Sequence, residues 1–372
     1  MFFITMLVFV VIAIGVTYKV MVGYTNFGWP VRSVVFLLLG AAWFSPLLIR
    51  LIRKLPPAFN GTFYDISYKT LYFMMGLALV LFLMIVVRDI IWQIIYFVSK
   101  NQSLNPNNVR AINILNVITL SFALIVCLYG VYEAHKAPEA HTLNIQDARV
   151  KKPVNIVVAS DFHINQSTPV RHINKIIAQI NAQNPDYVLL VGDTADDEPE
   201  HALKKIKHLK KIRAKKVYVS LGNHEYYHRP YSWMVAFFDL GFTILHNSGE
   251  KLEDTGVFVA GVPDVGSARV SYERAFEEAG DEYKILMSHS PSDFKTLNQD
   301  MFDIQVSGHT HGGQIFPFQY ITKQVNDGYL SGLYREKAKL FVSKGAGYWG
   351  PPIRLNAAPD IAVLKLSPKK EN

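Results

Sequence analysis

Val154–His163 reads VNIVVASDFH, and this stretch decides the fold. Its first seven residues are mostly β-branched and apolar, the pattern of a buried strand, and the chain runs straight from them into Asp161 and His163. A carboxylate and an imidazole are metal-ligand types, and the carboxyl end of a strand in an α/β sheet is where sites gather.

The same arrangement recurs downstream. Tyr187–Val191 leads into Gly192-Asp193, Val217–Leu221 into Gly222-Asn223-His224-Glu225, Ile285–Ser288 into His289-Ser290, and Ile304–Ser307 into Gly308-His309-Thr310-His311. Val257–Val262, Phe341–Ser343 and Ile361–Leu366 read as further strands, with helices at Val170–Asn181, Glu200–Arg213 and Tyr231–Leu240. Such alternation predicts a layered α/β domain over residues 153–372, with helices covering a sheet. Its roughly 220 residues suffice for one large core. No internal repeat interrupts the pattern. Each of the five segments is weak alone; together they set Asp, His, Asp, Asn, His, His and His at successive strand ends.

Upstream the composition changes. Residues 1–149 hold 11 Lys+Arg and 5 Asp+Glu, whereas residues 150–372 hold 27 and 25. Fifty per cent hydrophobic residues exclude a disordered chain, and the single cysteine, Cys127, excludes a disulfide framework. Apolar stretches run over Phe2–Tyr18, Ser33–Ile49, Thr70–Val98 (interrupted by Arg88 and Asp89) and Ala111–Tyr132. Each is near the roughly 20 residues a helix needs to cross a bilayer. A bundle of four transmembrane helices is therefore expected over residues 1–133, followed by a polar linker over 134–152.

Four crossings place Arg50, Arg53, Lys54, Lys69, Lys136, Arg149, Lys151 and Lys152 on the side of the C-terminal domain. Lys19, Arg32, Lys100 and Arg110 fall on the other. Eight cations against four make the domain cytoplasmic under the positive-inside rule. Arg88 and Asp89 point about 100° apart as helix neighbours and are not expected to pair across one face; they read either as a polar site for a lipid head group or as an interfacial pair in a long helix. Eight cations between Lys204 and Lys216 form either a contact with anionic lipid or a solvated face; a nucleic-acid partner is not expected.

The order D-x-H, G-D-x-x-D, G-N-H-E, H, G-H-x-H resembles the calcineurin-like metallophosphoesterase superfamily. GHTHGGQI (308–315) and FVSKGAGYWGPPIRL (341–355) are similar to its membrane-attached subgroup, which includes the bacterial YkuE and YaeI proteins. The resemblance covers about residues 153–368 and implies a β-sandwich flanked by helices. Phe162 stands where Leu is common and Asp360 where Glu is usual. The resemblance further implies two divalent ions, with manganese, iron or zinc suited to carboxylate, imidazole and amide ligands. Asp161, His163, Asp193 and His311 would hold one ion, and Asp193, Asn223, His289 and His309 the other, with Asp193 bridging. Two such ions clamp a phosphate and lower the pKa of a water between them. His224 is implied as proton donor or stabiliser at the leaving oxygen, with Asp196 orienting it.

The function so implied is hydrolysis of a phosphodiester or pyrophosphate by a membrane-bound, metal-dependent phosphoric ester hydrolase. Four helices exceed what an anchor needs, which points to lipid metabolism and a lipid-linked substrate resembling UDP-2,3-diacylglucosamine, at the bacterial inner membrane. The alternative is a non-catalytic membrane module that binds a phosphorylated ligand or partner; a nuclease fits the chemistry but not the membrane half. Asp197 and Glu225 are expected in solvent or structural roles, and His201, His208, His228 and His246 on the surface. Gly312 and Gly313 allow a tight turn. Gln314 either touches substrate or packs. Tyr226, Tyr227, Tyr348 and Trp349 either line a pocket mouth or fill core.

Overall fold

A computed structural model describes residues 2–56 and 59–369. The chain divides into two compact units. One holds the N-terminal helices through Tyr132 together with Gly350–Ile353; the other holds Glu133–Trp349 and Arg354 onward.

The first unit is built from α1 (Phe2–Val22), α2 (Trp29–Trp43), α3 (Ser45–Arg53), α4 (Thr62–Ser99) and α5 (Val109–Ala134). Among the described residues, α4 and α5 are long and apolar enough to cross a membrane, and α2 with α3 makes a third span if the pair counts as one. Two to three of the four expected crossings are thus present as long apolar helices, beside the shorter apolar stretch Leu7–Val22. The second apolar stretch is bent by 78° between α2 and α3. Pro46 has no N–H to give the carbonyl of Ala42, and the Ser45 hydroxyl donates to that oxygen instead at 2.5 Å. The third stretch is one unbroken helix of 38 residues.

Arg88 and Asp89 do pair, contrary to the expectation from their spacing. The long arginine turns back to reach Asp89 at 2.7 Å and also donates to Asn116 on α5 at 2.8 Å. Asn116 in turn donates to the carbonyl of Val20 on α1 at 2.6 Å, so one polar chain ties three helices together. Charges placed this way are satisfied by protein rather than lipid.

The second unit opens with β1 (Glu139–Asp147), β2 (Val154–Ala159), α6 (Val170–Ala182), β3 (Tyr187–Val191), α7 (Pro199–Ile206) and β4 (Lys216–Ser220). There follow α8 (Asn223–Tyr227), α9 (Pro230–Asp239), β5 (Thr243–Ile244), β6 (Ser248–Leu252), β7 (Val257–Gly261), α10 (Tyr272–Ala275) and β8 (Tyr283–Met287). The unit closes with β9 (Ile304–Ser307), α11 (Gln319–Val325), β10 (Gly332–Arg335), β11 (Lys339–Val342) and β12 (Asp360–Pro368). The segment expected as a linker thus carries β1, which pairs in parallel with β12.

Two mixed six-stranded sheets result, ordered β1-β12-β2-β3-β4-β5 and β10-β11-β9-β8-β7-β6. Their facing sides interdigitate through Ile156, Val158, Leu189, Val191, Val259, Ile285 and Val306, all fully buried. Helices cover the outer face of the first sheet, where Ile173, Ile177 and Trp233 meet Val157, Val188 and Val219. Burying an aliphatic side chain stabilises by roughly 1.5–3 kcal/mol, and this three-layer core fixes the strand ends from which the site is built. Strands β2 to β4 are mutually parallel, as are β7 to β9, so their following loops emerge at one end of each sheet.

Candidate metal centre

Each motif leaves its strand through a sharp turn. Asp161 (φ 54°), His163 (φ 47°), Asp193 (φ 50°), His309 (φ 70°) and His311 (φ 50°) all adopt the left-handed region that side chains other than glycine rarely occupy. Backbone bonds lock the turns together: Asp161 donates to the carbonyl of Gly192 at 3.1 Å and His163 to that of Asp193 at 2.9 Å. Gly222 must be glycine, because a Cβ there would lie 2.2 Å from the Asp193 carboxylate and 2.8 Å from the His289 ring.

Three groups of side chains converge, each with its ligand atoms within 4.8 Å of one another. They are Asp161, His163 and His311; Asp193, His289 and His309; and His163, Asp193 and His224. Asp193 belongs to two of them. His163 and His311 aim their Nε2 atoms at each other across 2.9 Å. The Nδ1 of His289 sits 2.9 Å from the carbonyl of Val191, which fixes the ring so that Nε2 points at Asp193, 3.2 Å away. That Nε2 is fully buried and has no hydrogen-bond partner. Asn223 joins through its side-chain oxygen, 3.0 Å from His309 Nδ1. Two imidazoles meeting Nε2 to Nε2 and an orphaned buried imidazole atom are what a bound cation satisfies, and the oxygen and nitrogen donor set suits a divalent ion of intermediate hardness. All seven residues expected as ligands are therefore brought together.

His224 stands beside them. Its Nδ1 meets Asp196 at 2.5 Å, while its Nε2 faces inward, 3.9 Å from Asp193. Burial opposes a charge on this ring, but the Asp196 carboxylate outweighs it and pushes the pKa up to about 9. Burial likewise opposes ionisation of Asp196, and the neighbouring imidazoles, His224 first, hold it well below the usual carboxylate range. For His311, burial and then His163 and Arg354 hold the ring well below the ordinary histidine value.

The calcineurin-like phosphoesterase family profile matches residues 154–313. An uncharacterized metallophosphoesterase of Campylobacter jejuni is 33% identical over 307 residues, which span 78% of this chain and 79% of that one. This chain is a calcineurin-like metallophosphoesterase. A transmembrane protein with metallophosphoesterase domain from Danio rerio is 28% identical over 272 residues, 67% of this chain and 62% of its own. The uncharacterized metallophosphoesterase YkuE of Bacillus subtilis is 30% identical over 228 residues, 57% of this chain and 78% of its own.

Around the centre of this metallophosphoesterase, several residues differ from their sequence-based reading. His228, expected on the surface, is half-buried with Nε2 3.7 Å from Asp196. Glu225 is structural: its fully buried carboxyl group accepts from the backbone N–H groups of Asp193, Ala195 and Gly222 at 3.0, 2.7 and 2.8 Å. Asp197 is structural too, accepting from the backbone of Gln166 and Glu198. His246 is exposed, and His201 and His208 are half-exposed. Gln314 packs, exchanging hydrogen bonds with both backbone groups of Trp349 at 2.8 and 3.0 Å. Tyr227 and Trp349 stay exposed with their rings 5.2 and 6.0 Å from that of His224, so both border the site. Tyr348 instead packs with His135 and His172.

Proposed function

We propose that this protein is a membrane-bound phosphoesterase that hydrolyses a phosphodiester or pyrophosphate bond of a lipid-linked substrate. The observation that carries the reading is Asp193, whose carboxylate is shared by two clusters of ligand atoms with the His224–Asp196 pair beside them. Asp161, His163, Asp193 and His311 would hold one divalent ion; Asp193, Asn223, His289 and His309 would hold the other. When bound, such ions polarise the phosphoryl oxygens and activate a water for in-line attack, manganese being our expected metal and iron or zinc its rivals. Asp193 reaches both clusters through Oδ2, 3.7 Å from His163 Nε2 and 3.2 Å from His289 Nε2, while its Oδ1 accepts from the backbone N–H of His224 at 2.9 Å. Asp196 holds Nδ1 of His224, which leaves the proton on Nε2 to pass to the departing oxygen.

Apolar side chains support the lipid assignment. Tyr227, Tyr231 and Phe238 follow the Asn223-His224 motif, and Phe316, Tyr320, Ile321 and Val325 follow the His309–His311 motif. All seven are exposed, the most being Tyr231 at 80%. Helices of membrane-crossing length in the same chain, and relatives named as transmembrane proteins, support membrane attachment. Cation placement favours the cytoplasmic side of a bacterial inner membrane for the phosphoesterase unit, eight against four with four crossings. If the bent pair returns to its own side, the count becomes ten against two.

The test is turnover by the detergent-solubilised full chain loaded with Mn²⁺, with His224→Ala as control. Substrates are a chromogenic diester, the matching monoester, and a diacylated sugar nucleotide beside its deacylated form. Hydrolysis favouring the diacylated compound, and lost in the variant, is expected. Hydrolysis of soluble esters alone refutes the lipid assignment, and hydrolysis of none refutes the enzyme in favour of a phosphate-binding module.

A further inference from the structure

Arg354 is fully buried and makes no ion pair with any described residue. Removing a guanidinium from water costs several kcal/mol unless its protons are satisfied. Here they are, almost entirely by one short loop. Nε donates to the carbonyl of Gly347 at 2.9 Å. Nη2 donates to the carbonyls of Gly347 at 2.6 Å, Lys344 at 2.7 Å and Gly345 at 3.3 Å. Nη1 reaches the carbonyls of Ala357 at 2.8 Å and His311 at 3.4 Å. Arg354 therefore gathers the 344–347 loop around a single cation.

That loop backs Asp161. The N–H groups of Ala346 and Gly347 donate to the carbonyls of Ser160 and Asp161, both at 2.9 Å. Gly345 has φ +81°, and a Cβ on it would lie 2.7 Å from the Asp161 Cβ, so the loop touches the base of the aspartate side chain. The same guanidinium meets the far nitrogen of His311, with Nη2 3.2 Å from Nδ1. Asp161 and His311 share one cluster of ligand atoms. In the other cluster, His289 is held by the carbonyl of Val191 and His309 faces Asn223; no hydrogen bond from Arg354 reaches either.

We propose that Arg354 is a positioning residue for one metal site only: it fixes the Asp161–His311 half of the centre and leaves the His289–His309 half unaffected. This rests on the ligand assignment proposed above. Lysine, with one compact ammonium, cannot hold five carbonyl groups and an imidazole as the planar fork does. Loss of such an outer contact typically lowers metal affinity about 10- to 100-fold.

The experiment titrates Mn²⁺ into the purified full chain and reads stoichiometry and affinity by calorimetry and elemental analysis. The chains compared are wild type, Arg354→Lys, Asp161→Ala and His289→Ala. The expected result is two ions in wild type and one tight ion in Arg354→Lys, the other weakened at least about tenfold. The variant then matches Asp161→Ala in which ion it loses, and adding His289→Ala to it removes the remaining tight site. Equal weakening of both sites, or unchanged binding at both, overturns the proposal. Fewer than two ions in wild type would instead overturn the ligand assignment itself. Should Arg354→Lys fail to fold, Arg354→Gln carries the same test, because its amide can still donate to the loop carbonyls but lacks the fork that also reaches His311.

Discussion

Replacing Glu225 with alanine should destabilise the phosphoesterase unit more than any single change to a metal ligand. Among the described residues, its carboxyl group is the acceptor for the buried N–H groups of Asp193, Ala195 and Gly222, which belong to two different strand-end turns. Alanine strands all three donors and opens a void. At roughly 1–3 kcal/mol for each stranded donor, and allowing for partial relaxation, the expected loss is about 3–6 kcal/mol. Glutamine is the informative control. Its oxygen can still accept from Asp193 and Gly222, which share one carboxylate oxygen, while its amide nitrogen faces the Ala195 N–H. One donor is lost rather than three, and the expected cost is about 1–2 kcal/mol. Charge removal adds little, because burial first and Asp193 second push the Glu225 carboxyl up to about 7. Pulse proteolysis in urea of the detergent-solubilised full chain reads cleavage of this unit directly. With a slope of roughly 2 kcal/mol per molar, the midpoint should fall by about 1.5–3 M in Glu225→Ala and by less than about 1 M in Glu225→Gln. A midpoint unchanged in Glu225→Ala, or equal losses in both variants, would refute the claim that these three bonds hold the two turns together.

Further outcomes are expected at the centre. Asp193→Ala should lose both ions, while His224→Ala should keep both and lose about 10²–10⁴-fold in turnover; equal metal loss in the two, by elemental analysis, would end the proton-donor role for His224. Asp196→Asn removes the anion that keeps His224 protonated up to about 9, so burial then disfavours the imidazolium. The alkaline limb of the pH–rate profile should move down by about two units, and an unmoved limb would assign it to another group. Tyr320→Glu with Ile321→Glu puts charge on an exposed apolar face outside the ligand set. It should raise KM for a diacylated substrate without changing that for a soluble diester; parallel changes would refute a lipid contact there.

Those variants rest on residues of unequal legibility. The central strands were readable because they are buried on both faces, so Tyr187–Val191 and Ile304–Ser307 appear as unbroken apolar runs. Strands at or near the sheet edges gave no such signal. β1 is mostly exposed, its sequence EAHTLNIQD carries little alternation, and it exists as a strand because β12 pairs with it from the far end of the chain. β6 reads SGEKL and is an edge strand for the same reason. In the helical unit, hydropathy measured length but not direction, and Pro46 was the available cue to the bend. At the site, ligand types were visible in sequence whereas the residues behind them were not. His228 reaches Asp196 through folding of its own turn, and nothing local announces it. Arg354 carried a fainter cue: a single cation between Ile353 and Leu355 is unusual for a surface position.

The left-handed turns explain why the ligands themselves were so readable. Five of the seven expected ligands hold positive φ, a conformation that costs a non-glycine residue about 1–3 kcal/mol and persists only where surrounding structure over-determines it. The over-determination is visible in Gly192, Gly222 and Glu225, which brace the turns from behind. A sharp turn at the end of a parallel strand throws the side chain across the sheet edge, toward the ends of neighbouring strands, and this is what converges residues as distant as Asp161 and His311. Aspartate, asparagine and histidine tolerate that conformation better than other side chains. They are also the side chains that hold a divalent ion through oxygen and nitrogen. Backbone demand and ligand chemistry therefore select the same few residue types at the same positions, so a strand ending in Asp or His is informative twice over. Asn223 and His289 lie outside this rule, as does His224: Asn223 and His224 stand on the first turn of α8, where the chain continues forward and Glu225 pins the turn to Asp193, while the His289 ring is held by the carbonyl of Val191.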